Sequence, residues 1–202
     1  MPDLLIAGRL ERPLILGSTS RYRRELLSRL QLPFETVSPE VDETPLSGET
    51  PHDLSLRLAI AKAQAVAQLH PGAIVIGSDQ VPELDGQPLS KPGTHERATE
   101  QLRQMSGRQM NFHTGVCVSC AETGFTESSV VTVQVRFREL SDVEIERYLR
   151  AEQPYDCAGS AKSEGLGIAL LDAIVSDDPT ALIGLPLIRT CQLLRAAGVV
   201  LP

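Results

Sequence analysis

The segment "PLILGSTSRYRRELLSRLQL", residues 13–32, changes from a strand pattern to a helix pattern and so indicates the fold class. Residues 13–17 form a short apolar run that is typical of a buried strand. Residues 20–32 place leucines on one helical face, and Ser20 is suited to be the N-cap. A strand followed directly by a helix is the basic unit of an α/β protein.

Strands and helices continue to alternate downstream until a long hairpin interrupts them. The predicted elements are a strand near 34–37, a helix at 51–70, a strand at 73–81, an Asp-Gly turn within 84–89, a helix at 94–107, hairpin strands at 109–120 and 128–140, a helix at 141–152, a strand within 165–176 and a helix at 185–198. This order predicts an α/β or mixed α+β fold with flanking helices. It also predicts one domain at 13–202, preceded by a poorly ordered N-terminal extension at 1–12.

The composition argues against several classes of function. The formal net charge is -7 and the pI is near 5.1, so the overall field repels polyanions. Three tyrosines, four phenylalanines and no tryptophan offer few stacking platforms, which also disfavours nucleic-acid binding. The absence of an apolar run of membrane-spanning length predicts no membrane association. Four scattered cysteines predict a reduced, cytoplasmic protein.

Hydroxyls and arginines gather where the first strand gives way to the first helix. Ser18 and Ser20 are hydrogen-bond donors, and Gly17 allows close approach to the backbone. Arg23 and Arg24 carry planar guanidinium groups that suit phosphate oxygens. Amides at the start of a helix add partial positive charge. The pattern predicts a phosphate site, although a capped helix with solvated arginines fits the same residues.

Charged residues elsewhere are candidates for the chemical step. Asp79 follows the apolar run that begins at residue 73, and ligands of open α/β sheets bind beyond the carboxyl ends of strands. An aspartate that starts a turn is an equally common reading. Glu43, Lys62 and Lys91 lie in segments without a specific catalytic pattern. For the two lysines, a snorkelling side chain on a helix and a loop lysine are the ordinary interpretations.

Two further stretches are less specific. Residues 158–167, "AGSAKSEGLG", suit a loop that closes over a ligand, but they suit a flexible connection equally well. The pair "CVSC" at 117–120 lacks a second pair of cysteine or histidine ligands, so strand packing explains it better than zinc. The four histidines have no spacing that indicates a metal site or a catalytic triad.

Taken in order, these stretches resemble the Maf family of nucleoside triphosphate pyrophosphatases from about Leu14 to Leu194. The motifs that carry the resemblance are "LILGSTSRYRRELL" (14–27), "PEVDETP" (39–45), "LRLAIAKAQAVA" (56–67), "IVIGSDQV" (74–81), "LSKPGTHERATEQLRQMSGR" (89–108), "TGVCV" (114–118), "YDCAGSAKSEGLG" (155–167) and "LIGLPL" (182–187). The resemblance implies a fold similar to that of inosine triphosphate pyrophosphatase, with an extended mixed sheet, a cleft between two lobes and a homodimeric assembly.

Three positions resemble the branch of the family that hydrolyses 7-methyl-GTP to 7-methyl-GMP and diphosphate. They are Tyr22, Gln80 and Glu164. Because the ring of 7-methylguanine is cationic, Glu164 can offset its charge and Tyr22 can stack on its face. Gln80 can donate and accept at the base edge. Gly17 and Arg21 depart from the alanine and proline that are more usual in the family.

The resemblance also implies residue roles. Asp79 is expected to act as the base or to position a metal-bound hydroxide, with Mg²⁺ or Mn²⁺ as cofactor and Glu43 as a second metal ligand. The expected ligands of the leaving diphosphate are Ser18, Ser20, Arg23 and Arg24, with Lys62 and Lys91 neutralising charge.

Two alternatives stay open on the sequence. A pyrophosphatase for dTTP, UTP or another modified nucleotide would use the same phosphate residues with a different base. A non-catalytic regulator of cell division or septum formation would act through protein contacts. A full set of charged pocket residues argues against the second alternative, because burying charged groups costs free energy that a purely structural role would not recover.

Overall fold

The computed structural model of the protein describes residues 10–202 as a mixed sheet flanked by helices. The helices are α1 (Arg21–Ser28), α2 (Pro51–Leu69), α3 (His95–Met105), α4 (Asp142–Glu152) and α5 (Leu187–Ala196). The strands are β1 (Leu14–Gly17), β2 (Glu35–Val37), β3 (Ile74–Leu84), β4 (Gln87–Pro88), β5 (Gln109–Cys120), β6 (Phe125–Phe137) and β7 (Leu171–Val175). Short 3₁₀ turns occupy Leu166–Leu170 and Ala181–Ile183.

The sheet combines a parallel part with an antiparallel part. Its strand order is β2-β1-β3-β5-β6-β7, and β4 pairs with the end of β3. β1 runs parallel to both β2 and β3, whereas β3, β5, β6 and β7 pair antiparallel in succession. This seven-stranded mixed sheet with five helices confirms the predicted fold class.

Helix α2 packs unusually close to the sheet because glycines stand beneath it. A Cβ atom on Gly77 of β3 would lie 2.3 Å from the carbonyl oxygen of Ala59. A Cβ atom on Gly115 of β5 would lie 2.3 Å from the carbonyl oxygen of Ser55. The backbone of α2 therefore rests almost directly on β3 and β5, and Lys62 of this helix is held at a fixed height above the sheet.

The opposite face of the sheet carries two apolar clusters. One joins α1 and α5 to β1, β3 and β5, and the other joins α3 and α4 to β5 and β6. The turn at Ala181–Ile183 is tied to the polar strand residues Gln80 and Thr114 in the region between them. No helix within residues 10–202 has both the length and the apolar character needed to cross a bilayer.

Most predicted caps and turns are confirmed. The Ser20 hydroxyl accepts from the amide of Arg23, and Ser141 and Glu144 form a capping box at α4. The Asp-Gly turn between β3 and β4 has positive φ at both central residues, Asp85 and Gly86, as a type I′ hairpin requires.

Two predicted elements are shorter than expected. Helix α1 ends at Ser28 rather than at residue 32, because Gln31 adopts a left-handed backbone with φ 55°. Within 165–176 a 3₁₀ turn precedes β7, so only the second half is strand. The backbone must turn tightly there, since a Cβ on Gly167 would lie 2.6 Å from the amide nitrogen of Lys162.

The predicted N-terminal extension falls mainly on residues 1–9, which lie outside the described residues. Of the remainder, Leu10 packs against the cluster that joins α1 and α5. Arg12 donates to the carbonyl oxygen of Gly72 and to the carboxylate of Glu122, at 3.2 Å in each case.

The close contact between α2 and β3 predicts a large effect for Gly77→Ala. The added methyl group would lie 2.3 Å from Ala59 O and 2.4 Å from Ala63 N, so α2 would have to move outward. We expect the free energy of unfolding, measured by urea denaturation, to fall by about 3 kcal/mol or more.

Gly72→Ala is the matched control for this substitution. Its nearest atom would be a carboxylate oxygen of the exposed Glu122 side chain at 3.1 Å, which can turn aside. We expect a change within about 0.5 kcal/mol. Equal losses for the two variants would contradict the importance of the α2–β3 contact.

Candidate active site

A cleft of about 990 Å³ opens at the edge of the sheet where β1 ends. β1 pairs with β3 only as far as Gly17 and Gly77, and β4 joins that side of β3 again only at Glu83, so residues 78–82 of β3 have no strand on that side. Of the residues predicted for the site, those that line the cleft are Ser18, Ser20, Tyr22, Arg23, Glu43, Lys62, Asp79, Gln80 and Lys91. The structure thus brings most of the predicted site residues into one cavity.

Asp79 reaches the cleft in a different way from the one predicted. The sequence placed it just beyond the apolar run that begins at residue 73, near the end of the predicted strand, but β3 continues to Leu84 and Asp79 lies near its middle. What ends at this level is the parallel neighbour β1, whose last residue is Gly17. Asp79 therefore lies beyond the carboxyl end of β1, and its side chain lines the cleft on the face of β3 that carries α2.

Lys62 joins the two carboxylates of the cleft. Its Nζ donates to Asp79 Oδ1 at 2.6 Å and lies 2.6 Å from Glu43 Oε1. The Lys62 and Asp79 side chains are 7% and 12% exposed, whereas Glu43 is 61% exposed. A buried ammonium is stable only with such partners. Asp79 is held by this contact and by its burial, whereas Glu43 is held mainly by the contact with Lys62 because its side chain is largely exposed.

The turn between β1 and α1 forms a cluster of donors. Ser18 Oγ accepts from the amide of Ser20 at 3.2 Å and from Nη1 of Arg23 at 3.4 Å. Arg23 Nε donates to the carbonyl oxygen of Gly184 at 2.9 Å, which holds the guanidinium across the cleft wall. Hydroxyls, a guanidinium and the start of a helix then face the same space, as a polyphosphate site requires.

Arg23 is a partly buried cation without a carboxylate salt bridge among residues 10–202. Burial lowers the pKa of its guanidinium below the ordinary value, although the charges of Asp79 and Glu43 act in the opposite direction. The protein bonds to this charge are made by a carbonyl and a hydroxyl, which do not neutralise it. An anionic ligand would supply the missing charge.

Arg24 does not share this position. Its side chain is exposed and does not line the cleft, because the next residue of a helix points about 100° away from its neighbour. The leucine face of the helix distinguishes the two arginines, since Arg23 lies three and four residues before Leu26 and Leu27 and so shares their face. Lys91 does line the cleft, from the loop that follows β4.

A smaller pocket of about 130 Å³ continues from the cleft and contains the three predicted specificity residues, Tyr22, Gln80 and Glu164. Burial raises the pKa of Tyr22. The guanidinium of Arg21 lies 4.7 Å from its ring centroid, and Nζ of Lys162 lies 5.8 Å from it. The pocket thus offers an aromatic face and a carboxylate side by side.

Gln80 has fewer hydrogen-bonding groups available to a ligand than predicted. Its amide nitrogen lies 2.9 Å from Ala181 O, 3.0 Å from Leu182 O and 3.0 Å from Thr114 Oγ1. These acceptors use its N–H groups within the protein. In this arrangement Gln80 can offer a ligand only its carbonyl oxygen, so it accepts at the base edge rather than both donating and accepting.

Sequence reasoning missed the residues that close the walls of this pocket. The backbone carbonyl of Gly184 orients both Arg23 and Ser78, and its only sequence signal is the glycine of "LIGLPL". Asp156 and Cys157 line the pocket beside Tyr22, and their only sequence signal is their place in the motif at 155–167. Burial raises the pKa of the Cys157 thiol to about 11, so it is not a nucleophile at neutral pH.

The carboxylates of the cleft fit a divalent ion that arrives with a nucleotide. Mg²⁺ prefers oxygen ligands and is usually held by one or two carboxylates together with substrate phosphates. Asp79 and Glu43 both converge on Nζ of Lys62. Within residues 10–202 no group of three or more His, Cys, Asp or Glu side chains is arranged to hold an ion by itself.

Comparison with known proteins places these residues in a family. The model of the family described as Maf-like protein matches residues 13–197. Proteins named 7-methyl-GTP pyrophosphatase from Polaromonas sp., Albidiferax ferrireducens and Bordetella pertussis are 68%, 64% and 60% identical to the chain. The alignments cover 94%, 94% and 92% of this chain and 87%, 96% and 92% of those proteins.

A solved structure of a HAM1 protein from Coxiella burnetii was also matched. It is 18% identical, with a TM-score of 0.46, and the match covers 62% of this chain and 73% of that chain.

The different positions of Arg23 and Arg24 predict different effects of the same substitution. Arg23→Lys would lose the planar group that reaches Gly184 O and Ser18 Oγ together. We expect the dissociation constant for inorganic diphosphate, measured by isothermal titration calorimetry, to rise about tenfold. Arg24→Lys, at an exposed position outside the cleft, should change it by less than about twofold. A larger effect at Arg24 would contradict this assignment.

Proposed function

The chain belongs to the Maf-like protein family, and from this premise we propose that it is a nucleoside triphosphate pyrophosphatase that hydrolyses 7-methyl-GTP. Water would attack the α-phosphorus, and the bond from that phosphorus to the bridging oxygen of the β-phosphate would break. The products are 7-methyl-GMP and diphosphate. Such a reaction would remove a modified nucleotide from the pool.

The observation that carries this proposal is the adjacency of a charged cleft and an aromatic pocket. Arg23, Lys62 and Lys91 bring cations to the cleft, and Asp79 stands among them. Tyr22 and Glu164 line the pocket that continues from it. A nucleoside triphosphate has the same division into a polyanionic end and a planar base. The high identity to the proteins named 7-methyl-GTP pyrophosphatase supports this substrate.

Asp79 is the group we assign to the attacking water. Its Oδ1 accepts from Lys62, which leaves Oδ2 to orient the water and take up its proton. Lys62 keeps the carboxylate from turning and adds positive charge where negative charge grows in the transition state. Arg23, Ser18, Ser20 and Lys91 would hold the diphosphate as it leaves.

A divalent cation, Mg²⁺ or Mn²⁺, is the cofactor we propose, held by Asp79 and Glu43 together with phosphate oxygens. When bound, it lowers the pKa of water and neutralises phosphate charge. Because Glu43 is mostly exposed, its carboxylate can leave Lys62 without unfolding any element. The cytoplasmic location and the homodimer stay predictions from the sequence.

Base selection would follow from the charges and shape of the smaller pocket. The ring of Tyr22 can stack on a purine, and stacking is stronger when the purine is cationic. Glu164 is exposed at the pocket rim, where its carboxylate can approach the cationic ring or accept from the base edge. Gln80 Oε1 can accept one further hydrogen bond.

The test is diphosphate release with Mg²⁺ or Mn²⁺ from 7-methyl-GTP, GTP, dTTP, UTP and CTP. We expect the highest kcat/KM for 7-methyl-GTP. We expect Asp79→Asn to lower kcat by at least about 100-fold, because the amide cannot take up a proton. Asp177→Asn, at an exposed carboxylate outside the cleft, is the matched control and should keep wild-type turnover.

The outcomes separate the alternatives. A preference for dTTP or UTP would keep the enzyme class and overturn the base assignment. Turnover by Asp79→Asn close to that of the wild type would overturn the catalytic assignment. No turnover of any nucleotide would favour the regulator of cell division.

A further inference from the structure

Glu152, the last residue of α4, anchors the loop that presents Glu164 to the base pocket. Its Oε1 accepts from Nζ of Lys162 at 2.8 Å, and its Oε2 accepts from the amide of Leu166 at 2.7 Å. The Glu152 side chain is 14% exposed. A Cβ atom on Gly165 would lie 2.7 Å from Glu152 Oε2, so the loop wraps closely around this carboxylate.

Lys162 is bonded to one carboxylate, Glu152, and has a second one, Glu164, in the same pocket, so its choice of partner decides whether Glu164 stays unpaired. It lines the same pocket as Glu164, whose negative charge contributes to raising the pKa of Lys162. The hydrogen bond with Glu152 is the larger cause of that shift. Within residues 10–202 Glu164 has no salt bridge, and its only side-chain hydrogen bond is a long one of 3.5 Å from Ser163.

The position of the Lys162 ammonium also matters for stacking. It lies 5.8 Å from the ring centroid of Tyr22, the surface on which the purine is proposed to stack. A cation that moved from Glu152 towards Glu164 would neutralise the carboxylate intended for a cationic base. Because the ammonium already lies beside the Tyr22 ring, its pairing with Glu152 also offsets a like charge next to the methylated base.

From these contacts we propose that Glu152 is a positioning residue for base selectivity. By binding Lys162, Glu152 keeps the carboxylate of Glu164 free to receive the cationic ring of a 7-methylated purine. Neutral purines gain no such charge compensation, so the pairing raises the preference for 7-methyl-GTP over GTP rather than the rate with both. This inference rests on the proposed function and names a determinant of its specificity.

The experiment compares the ratio of kcat/KM for 7-methyl-GTP to that for GTP in four proteins at one ionic strength. They are the wild type, Glu152→Gln, Glu164→Gln and the double variant Glu152→Gln/Lys162→Met. Glutamine keeps an acceptor for the Leu166 amide but no charge for Lys162. We expect Glu152→Gln to lower the ratio by about fivefold, the scale of a partly exposed ion pair. The double variant should return it to within about twofold of the wild type.

A control in a second background sharpens this result. Once Glu164→Gln has removed the carboxylate, adding Glu152→Gln should not lower the ratio further, because Lys162 then has nothing to neutralise. If the substitution merely loosened the loop, kcat/KM would instead fall for both nucleotides. That loss would not be rescued by removing Lys162. Thermal melting of each variant identifies any that fails to fold.

Several results would overturn the inference. One is an unchanged ratio in folded Glu152→Gln, and another is a lowered ratio that the double variant does not restore. Either result with a wild type that prefers 7-methyl-GTP leaves the proposed function intact. A wild type with no preference between the two nucleotides would overturn the proposed base specificity, and this inference with it.

Discussion

The site depends on the buried bond from the Lys62 ammonium to Asp79. Removing one partner of a buried ion pair costs about 3–5 kcal/mol, because the other is left without compensation. The pair forms only because α2 rests directly on the sheet, and the bare backbones of Gly77 and Gly115 permit that approach. The carboxylate that faces the cleft is therefore placed by the packing of a helix on two strands, and its position does not depend on a mobile loop.

The unequal length of the strands creates the space for a ligand. β1 ends at Gly17, while β3 continues for seven residues beyond the partner of that glycine, Gly77. The chain after β1 turns into α1, and the start of that helix lies near the edge of β3 that has no paired strand. On the other wall, Gln80 and Thr114 hold the Ala181 carbonyl. The turn before α1 and the strand residues Asp79 and Gln80 of β3 thus line the same cleft.

Patterns that act within a few residues were readable from the sequence, and contacts across the chain were not. The caps at Ser20 and Ser141 follow from local hydrogen bonding and were predicted correctly. The pairing of Glu152 with Lys162 joins a helix end to a separate loop, and although Lys162 lies in the stretch at 158–167 that suits a ligand loop, nothing in the sequence linked it to Glu152. Exposed Arg24 and partly buried Arg23 differ in helical phase, which the leucine face of α1 reveals although the two identical residue types do not.

The charged groups of the cleft are not all paired with opposite charges of the protein. A protein that optimised stability alone would pair the guanidinium of Arg23 with a carboxylate, since burial disfavours its charged form. Here a carbonyl and a hydroxyl orient it without neutralising it. Lys62 and Lys162, in contrast, are each paired with a carboxylate. Among residues 10–202, Arg23 at the start of α1 and Lys91 in the loop after β4 line the cleft without a carboxylate salt bridge, and the phosphates of a nucleotide would supply the missing charge. The distribution of charge in the cleft therefore follows the order of groups along a nucleoside triphosphate.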